Sequence, residues 1–390
     1  MNYDYLIVGA GIIGMTIAYE LNKQNSQLKI VIIDKEDDVA KHASGRNSGV
    51  LHAGFYYSAD SLKAKFTVDG NKLMKEFCKA HNITVKETEK IVVATNEVEL
   101  NSIYELQNRA EKNGVNTKII DEAEVLKIDS NIKTYKKALY SPTTASINPK
   151  EVCFRLKKTL EEKGIKIVFN TSFSDSTFKY KYLINCAGSY ADKIAKNFGL
   201  ANNYTLLPFK GIYLKYMRNK TAIKTNIYPV PNLKNPFLGV HYTITSDGSI
   251  KIGPTAIPAF WRENYKGFTN FKLNEMIEIL YYETKLFLLN SFNFRKLAIE
   301  ELKNYSSKIF IKKAKDMVKN IGDDFKPIPA GIRAQLLNTK TNELVQDFVI
   351  EHGTNSTHVL NAVSPAFTCS FAFAKHIVEE INKNGEINVK

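Results

Sequence analysis

Cysteine is scarce in this chain. Its four copies, Cys78, Cys153, Cys186 and Cys369, are scattered through 390 residues and form no C-x-x-C pair. That argues against a disulfide framework and against a zinc site, and it fits a reducing, cytoplasmic setting with no metal. No run approaches the roughly 18 uninterrupted apolar residues of a membrane span. The apolar N-terminus lacks a basic leader and carries Asp4, so a secretory signal is not expected there. Internal repeats, low-complexity tracts and linkers are also missing. What is present is a 44% hydrophobic, 24% charged composition, that of an ordinary globular enzyme. The chain is long enough for two lobes.

Charge is the one compositional excess, +14. The lysines are spread among Asn, Ile and Tyr residues and form no recognisable reading motif, so nucleic acid is not an expected partner. A solvated basic surface accounts for the charge. Its functional alternatives are attraction of a small anionic substrate or peripheral association with the anionic inner face of the cell membrane.

The first 34 residues carry the strongest signal. Tyr3–Val8 reads as a buried strand and runs into Gly9-Ala10-Gly11-Ile12-Ile13-Gly14; a helical pattern then covers Met15 to Leu21, and a second strand, Lys29–Ile33, ends in Asp34. In such a G-x-G-x-x-G turn the first glycine permits the tight turn and the second lets backbone amides approach a pyrophosphate. The third lets helix pack on strand. Phosphates then sit at a helix N-terminus, where free N–H groups favour negative charge. Asp34, 20 residues after Gly14, is placed to bind ribose hydroxyls and disfavours a 2′-phosphate. The motif predicts a dinucleotide site, and no second G-x-G-x-x-G follows it.

Further along, Ser61 is a plausible N-cap for an amphipathic helix to His81. Strands are expected at Ile91–Ala94, Thr117–Ile120 and Lys166–Asn170, and helices at Val98–Asn113, about Asp121–Leu126 and Glu151–Lys163. The strand opening at Tyr182 stops at Ala187-Gly188, where a helix begins at once, and Gly188 lets the chain pass close to the nucleotide. Short β runs follow at Gly211–Tyr216, Phe237–Thr245 and Ile250–Ile252, with Asp247-Gly248 as a hairpin turn. Residues 270–320 read as helical filler without chemistry. Strands at Leu344–Glu351 and Val359–Val363 precede a terminal helix, with Pro365 in its first turn.

The chain resembles the FAD-dependent oxidoreductases of the D-amino-acid-oxidase type, and within them the L-2-hydroxyglutarate dehydrogenases/oxidases. The resemblance rests on Gly9-x-Gly11-x-x-Gly14, on the block from Asn47-Ser48-Gly49 through His52 to Tyr56-Tyr57, and on Ser61-Leu62-Lys63-Ala64-Lys65. It continues in Pro208-Phe209-Lys210-Gly211, Gly239-Val240-His241, Gly253-Pro254-Thr255-Ala256, Gly331-Ile332-Arg333-Ala334-Gln335 and Asn361-Ala362-x-Ser364-Pro365-Ala366. The resemblance implies an α/β (α+β two-domain) fold: a Rossmann-like FAD-binding domain of the glutathione-reductase/D-amino-acid-oxidase type with an inserted mixed β-sheet substrate domain. Residues 1–85, 141–205 and 325–390 are expected to form the discontinuous FAD domain, and 86–140 and 206–324 the substrate domain.

It also implies the site. Gly9, Gly11, Ile12, Ile13, Gly14, Asp34, Lys35, Arg46, Asn47, Ser48, Gly49, Ala187 and Gly188 are expected to hold FAD. Ser364, Pro365, Ala366, Phe367 and Thr368 would present the last helix's amides to the flavin. His52 is the candidate base or flavin contact, an imidazole being suited to a hydroxyl proton near neutral pH; covalent flavin attachment there is an alternative. Arg333 is expected to grip a substrate carboxylate. Lys210 and His241 are weaker catalytic candidates, and for Tyr56 and Tyr57 core packing is the commoner fate. The expected reaction is oxidation of a small L-2-hydroxy acid, with electrons passing to oxygen, a quinone or a carrier. An amine or amino-acid oxidase, a sugar-acid or polyol-phosphate oxidase, and a non-enzymatic FAD-binding protein are the alternatives.

Overall fold

Strand Asn2–Val8 becomes a continuous buried apolar run from Leu6 to Val8, and its neighbour Ile30–Ile33 is apolar and buried throughout, as strand stretches covered on both faces must be. In the computed structural model, which describes residues 2–218, 221–231 and 237–386, they are central to a six-stranded sheet. Its order is Val349–Gly353, Ser356–Asn361, Lys179–Asn185, Asn2–Val8, Ile30–Ile33, Lys166–Val168. All neighbours are parallel except the hairpin made by the first two. Helix Ile12–Gln24 starts inside the glycine turn, and the 21-residue helix Ala366–Glu386 packs on it and on Leu62–Ala80. Ile7, Ile17, Met74, Leu156 and Phe373 lie in the core these elements share.

A second, ten-stranded sheet is mixed. Its longest pair is Tyr204–Tyr216 against Phe325–Asn338, antiparallel and in register at Phe209↔Arg333 and Gly211↔Gly331. Ile250–Gly253, His241–Ile244, Asn226–Pro229, Lys90–Val93, Lys137–Ser141 and Lys118–Asp121 continue it, with one parallel step between Asn226–Pro229 and Lys90–Val93. Glu343–Leu344 ends the sheet beyond Phe325–Asn338, and Ile257–Pro258 pairs with Tyr204–Tyr216. Helices Leu273–Leu289, Phe294–Lys303 and Ser307–Lys315 follow in the 270–320 region.

Most local expectations hold. Ser61 caps its helix by accepting from the Ala64 amide, and Asp247-Gly248 turns the hairpin of His241–Ile244 and Ile250–Gly253. Three differ. The strand expected at 211–216 begins seven residues earlier, at Tyr204, because a 14-residue partner pairs along it. Only His241–Ile244 of the 237–245 run is strand. Pro365 sits just before the last helix, which begins at Ala366.

The 270–320 region is not neutral filler. On its outer surface Leu288 is 67% exposed, Tyr281 62% and Ile277 60%, and Phe268 just before it is 83% exposed. Glu275 and Glu283 turn inward and are buried. No helix among the described residues is long and apolar enough to cross a membrane.

Candidate FAD and substrate cleft

A cleft of about 920 Å³ connects residues of the two sheets, a size usual for cofactor and ligand pockets. Gly9, Gly11, Ile12 and Ile13 line it, as do Asp34, Arg46, Asn47, Ser48, Ala187 and Gly188. Gly14 lies behind the wall: a Cβ there would come 2.1 Å from the Gly9 carbonyl oxygen, so its place is the helix–strand contact. Gly49 also stands behind, its Cβ position 2.3 Å from the Ile147 carbonyl oxygen. Neither lines the cleft, a correction to their reading as direct cofactor contacts.

Asp34 closes the second strand. Its carboxylate accepts from the Ala10 amide at 2.7 Å and the Glu36 amide at 2.9 Å, while burial pushes its pKa up. Ser44 was not foreseen: its hydroxyl accepts from the Ile12 amide at 2.9 Å, satisfying an otherwise free donor at the helix N-terminus. It sits in a polar loop with no motif to flag it. Lys35 lines the cleft but is committed to ion pairs with Glu36 and, at 2.7 Å, Glu263. Glu36, His42 and Glu263 could converge on a cation, and the Lys35 ammonium already stands among them. Arg46 braces the loop, donating to the Lys41 and Ala330 carbonyls at 2.6 and 3.2 Å.

His52 is buried and held from two sides by its backbone. Its amide donates to Thr368 Oγ1 at 3.2 Å, and its carbonyl accepts from Asn71 Nδ2 at 3.0 Å. Thr368, which lines the cleft together with Ser364–Phe367, therefore also holds the segment that carries His52, bonding both the His52 amide and the Val50 carbonyl. Nδ1 of His52 has no hydrogen-bond partner among the described residues. Burial, then the neighbouring basic groups Lys90, His241 and Arg333, holds the imidazole well below its usual pKa, so it is neutral.

Arg333 lines the same cleft, its guanidinium 5.0 Å from the Phe237 ring centroid. It makes no salt bridge among the described residues, and burial lowers its pKa. An arginine that no carboxylate grips directly, with only Glu301 acting on it from a distance, is a ready receptor for a carboxylate. His241 also lines the cleft; its Nδ1–H donates to the Gly239 carbonyl at 2.8 Å and its ring stacks on Tyr228 at 3.8 Å. Burial pushes its pKa down to about 3.

Lys210 does not join them. Strand alternation points Phe209, Gly211 and Tyr213 into the cleft, and Lys210 turns away to donate to Asn264 Oδ1 at 3.2 Å. Tyr56 is buried outside the cleft lining, a core residue, and Tyr57 does not line it either. Tyr213, Tyr228 and the buried Arg262 were missed. Arg262 makes a two-pronged pair with Asp192 at 2.6 and 2.8 Å, tying the segment after Gly188 to the substrate side. A single Arg in a loop gives no sequence signal of such a partner.

Comparison with known proteins agrees with this geometry. The profile of the family described as "DAO: FAD dependent oxidoreductase" matches residues 4–380. The mitochondrial L-2-hydroxyglutarate dehydrogenase of Dictyostelium discoideum is 34% identical over 98% of this chain and 93% of its own. That of Caenorhabditis elegans is 36% identical over 97% and 93%, and the L-2-hydroxyglutarate dehydrogenase of Escherichia coli K12 31% over 97% and 93%. Among solved structures, L-alpha-glycerophosphate oxidase from Mycoplasma pneumoniae with FAD bound superposes with a TM-score of 0.75 at 23% identity, covering 98% of this chain and 95% of that one. Glycine oxidase from Geobacillus kaustophilus gives 0.67 at 16% identity, covering 98% and 95%; both share the fold. A glycine turn made for a dinucleotide, and relatives alike over nearly their whole length, give one conclusion: the chain belongs to the FAD-dependent oxidoreductase family, and its cofactor is FAD.

Proposed function

We propose that this chain oxidises L-2-hydroxyglutarate to the corresponding 2-oxo acid. The observation that carries the reading is the pairing, in one cleft, of a neutral imidazole with a guanidinium that makes no salt bridge among the described residues. The named activity of the relatives alike over almost the full chain supports it. FAD, when bound, supplies the acceptor for the hydride leaving the α-carbon. The pieces 1–85, 141–205 and 325–390 would hold it, with the glycine turn and Asp34 at the dinucleotide and Ser364–Thr368 beside the ring. Residues 86–140 and 206–324 would shape the substrate side, to which the strand Phe325–Asn338 adds Arg333.

Arg333 would fix the substrate's carboxylate by two parallel hydrogen bonds, which orients the α-carbon. The unpartnered Nδ1 of His52 would take the hydroxyl proton as the C–H electron pair departs. A neutral histidine is the form that can do so, and an incoming carboxylate offsets the cations that depress its pKa. His241, with Nδ1–H committed to Gly239 and no partner for Nε2 among the described residues, is the second candidate for that proton. The two electrons finally leave to oxygen, a quinone or a protein carrier.

Anaerobic bleaching of the yellow holoenzyme tests the proposal. L-2-hydroxyglutarate should reduce the flavin, with L-glutamate and glycerol phosphate much slower. Faster bleaching by an amine or a polyol phosphate would replace the reading, and no bleaching by any of them would favour a non-enzymatic FAD protein.

The exposed face of 260–309 supports peripheral attachment to an anionic membrane. Large apolar side chains cover it, and Lys266, Lys272, Arg295, Lys296, Lys303 and Lys308 are exposed with Glu300 as the one exposed acid. An apolar face rimmed by cations suits an anionic lipid surface, whereas a second copy would set like charges against each other. Holoenzyme should float with vesicles containing phosphatidylglycerol and not with neutral ones, and Tyr281→Glu with Leu288→Glu should abolish flotation. Equal flotation of the double variant would remove this face from the proposal.

A further inference from the structure

Lys90 opens strand Lys90–Val93 and is fully buried, yet its Nζ has no hydrogen-bond partner among the described residues. An unpaired ammonium in an interior is costly, so its environment must compensate or supply an anion when one arrives. Three aromatic faces surround it: Tyr228 at 4.1 Å from ring centroid to Nζ, Tyr56 at 5.2 Å and Phe55 at 5.6 Å. The Tyr228 ring that Lys90 overlies also stacks on His241 at 3.8 Å, and both Tyr228 and His241 line the cleft. Lys90 itself does not. It thus stands one aromatic ring behind the substrate wall.

The titratable groups around it carry no negative charge. His52 acts on Lys90 from the segment after Val50–Leu51, His241 and Lys251 lie on the hairpin beyond the intervening strand Asn226–Pro229, and Arg333 lies on the long strand across the cleft; the phenols of Tyr56 and Tyr228 are neutral, pushed up by burial. The cleft is the place from which an anion can come. We propose that Lys90 is a positioning residue that supplies, from behind the Tyr228 ring, the second positive charge recognised by a dianionic hydroxy acid, and takes up a proton as that substrate binds. This rests on the reading of L-2-hydroxyglutarate as substrate: Arg333 meets one carboxylate, and Lys90 makes the cleft favourable to the other. Burial lowers the Lys90 pKa to about 7, so near neutrality the amine is partly unprotonated and free to gain that proton. The arrangement favours dianions without a permanent buried charge.

Binding of glutarate, an unreactive dicarboxylate, to the FAD holoenzyme tests this by calorimetry between pH 7 and 9, with pentanoate as the monocarboxylate. For wild type, glutarate affinity should fall about tenfold per pH unit above pH 7, because one proton accompanies it. The apparent enthalpy should change with the buffer's ionisation enthalpy, a readout that needs no variant. Pentanoate should show neither effect. Lys90→Met should bind glutarate weakly and without pH dependence, Lys90→Arg should restore tight binding at all pH values, and Lys251→Met should keep the wild-type profile. A Lys90→Met protein with the wild-type pH profile, or wild-type glutarate binding without buffer dependence, overturns the proposal. If Lys90→Met fails to fold, the wild-type buffer dependence decides. Wild-type turnover of L-2-hydroxyglutarate with no proton uptake on glutarate binding sinks this inference alone, whereas absence of that turnover sinks the substrate reading beneath it.

Discussion

At the scale of single residues the cleft divides into groups that face the reaction and groups that hold them there. His52→Ala should lower kcat by about 10²–10⁴ if the imidazole takes the hydroxyl proton, and a loss of less than tenfold would transfer that role to His241. Arg333→Met should raise KM for L-2-hydroxyglutarate more than it lowers kcat, and steady-state kinetics on the two carboxylates separately removed from the substrate would show which end it binds. Arg262 acts differently. Its pair with Asp192 is almost wholly buried at both ends, so Arg262→Met leaves a carboxylate uncompensated. Losing one partner of such a pair costs about 3–5 kcal/mol, which should appear in urea denaturation even with FAD saturating. A variant as stable as wild type would mean that water or a moved lysine reaches Asp192.

Elements were legible in proportion to how local their causes are. The N-terminal strand, glycine turn, helix and second strand lie within 34 contiguous residues, and each part reads from its neighbours. His52 and Arg333 could be singled out only through family blocks, since Thr368 and Phe209, which hold or pair with them, are far away in sequence. Lys210 shows the opposite case: the alternation of Phe209, Lys210 and Gly211 was present in the sequence, but which phase faced the cleft depended on register with Phe325–Asn338. Lys90 was invisible because nothing near it in the chain predicts Tyr228. Where helices meet, one missing side chain sets the distance. A Cβ on Gly70 of helix Leu62–Ala80 would fall 2.5 Å from the Thr368 carbonyl oxygen. Gly70→Ala should therefore push the last helix off Leu62–Ala80, loosen the Thr368–His52 bond, and cut both FAD affinity and thermal stability. Fluorescence titration of FAD-depleted protein would detect the change, and wild-type affinity would show that the two helices can slide apart without disturbing the cleft.

For the whole molecule the buried histidines set a pH dependence opposite to that of a simple surface charge. Burial lowers the pKa of His52, takes His241 to about 3, and takes His358 to about 4. Each is neutral when folded and would bind a proton when unfolded as pH drops below the ordinary value of 6.5. A depressed folded pKa gives stability present above the unfolded value and lost as pH falls toward the folded one. Glu283 opposes this, because burial raises it to about 8 and keeps it protonated when the unfolded chain has released its proton. Below about pH 6 the buried lysines are charged in both states and add no slope. Three histidines against one glutamate leave a net loss of stability on acidification between about pH 6.5 and 4.5, of order 2 kcal/mol per pH unit. Urea denaturation at saturating FAD should show this fall. His358→Asn, at a residue that does not line the cleft, should make it shallower by about one proton's worth while leaving turnover unchanged. If stability instead stays level or rises from pH 6.5 to 5, these histidines take up protons in the folded protein, and the neutral imidazole assigned to His52 loses its basis.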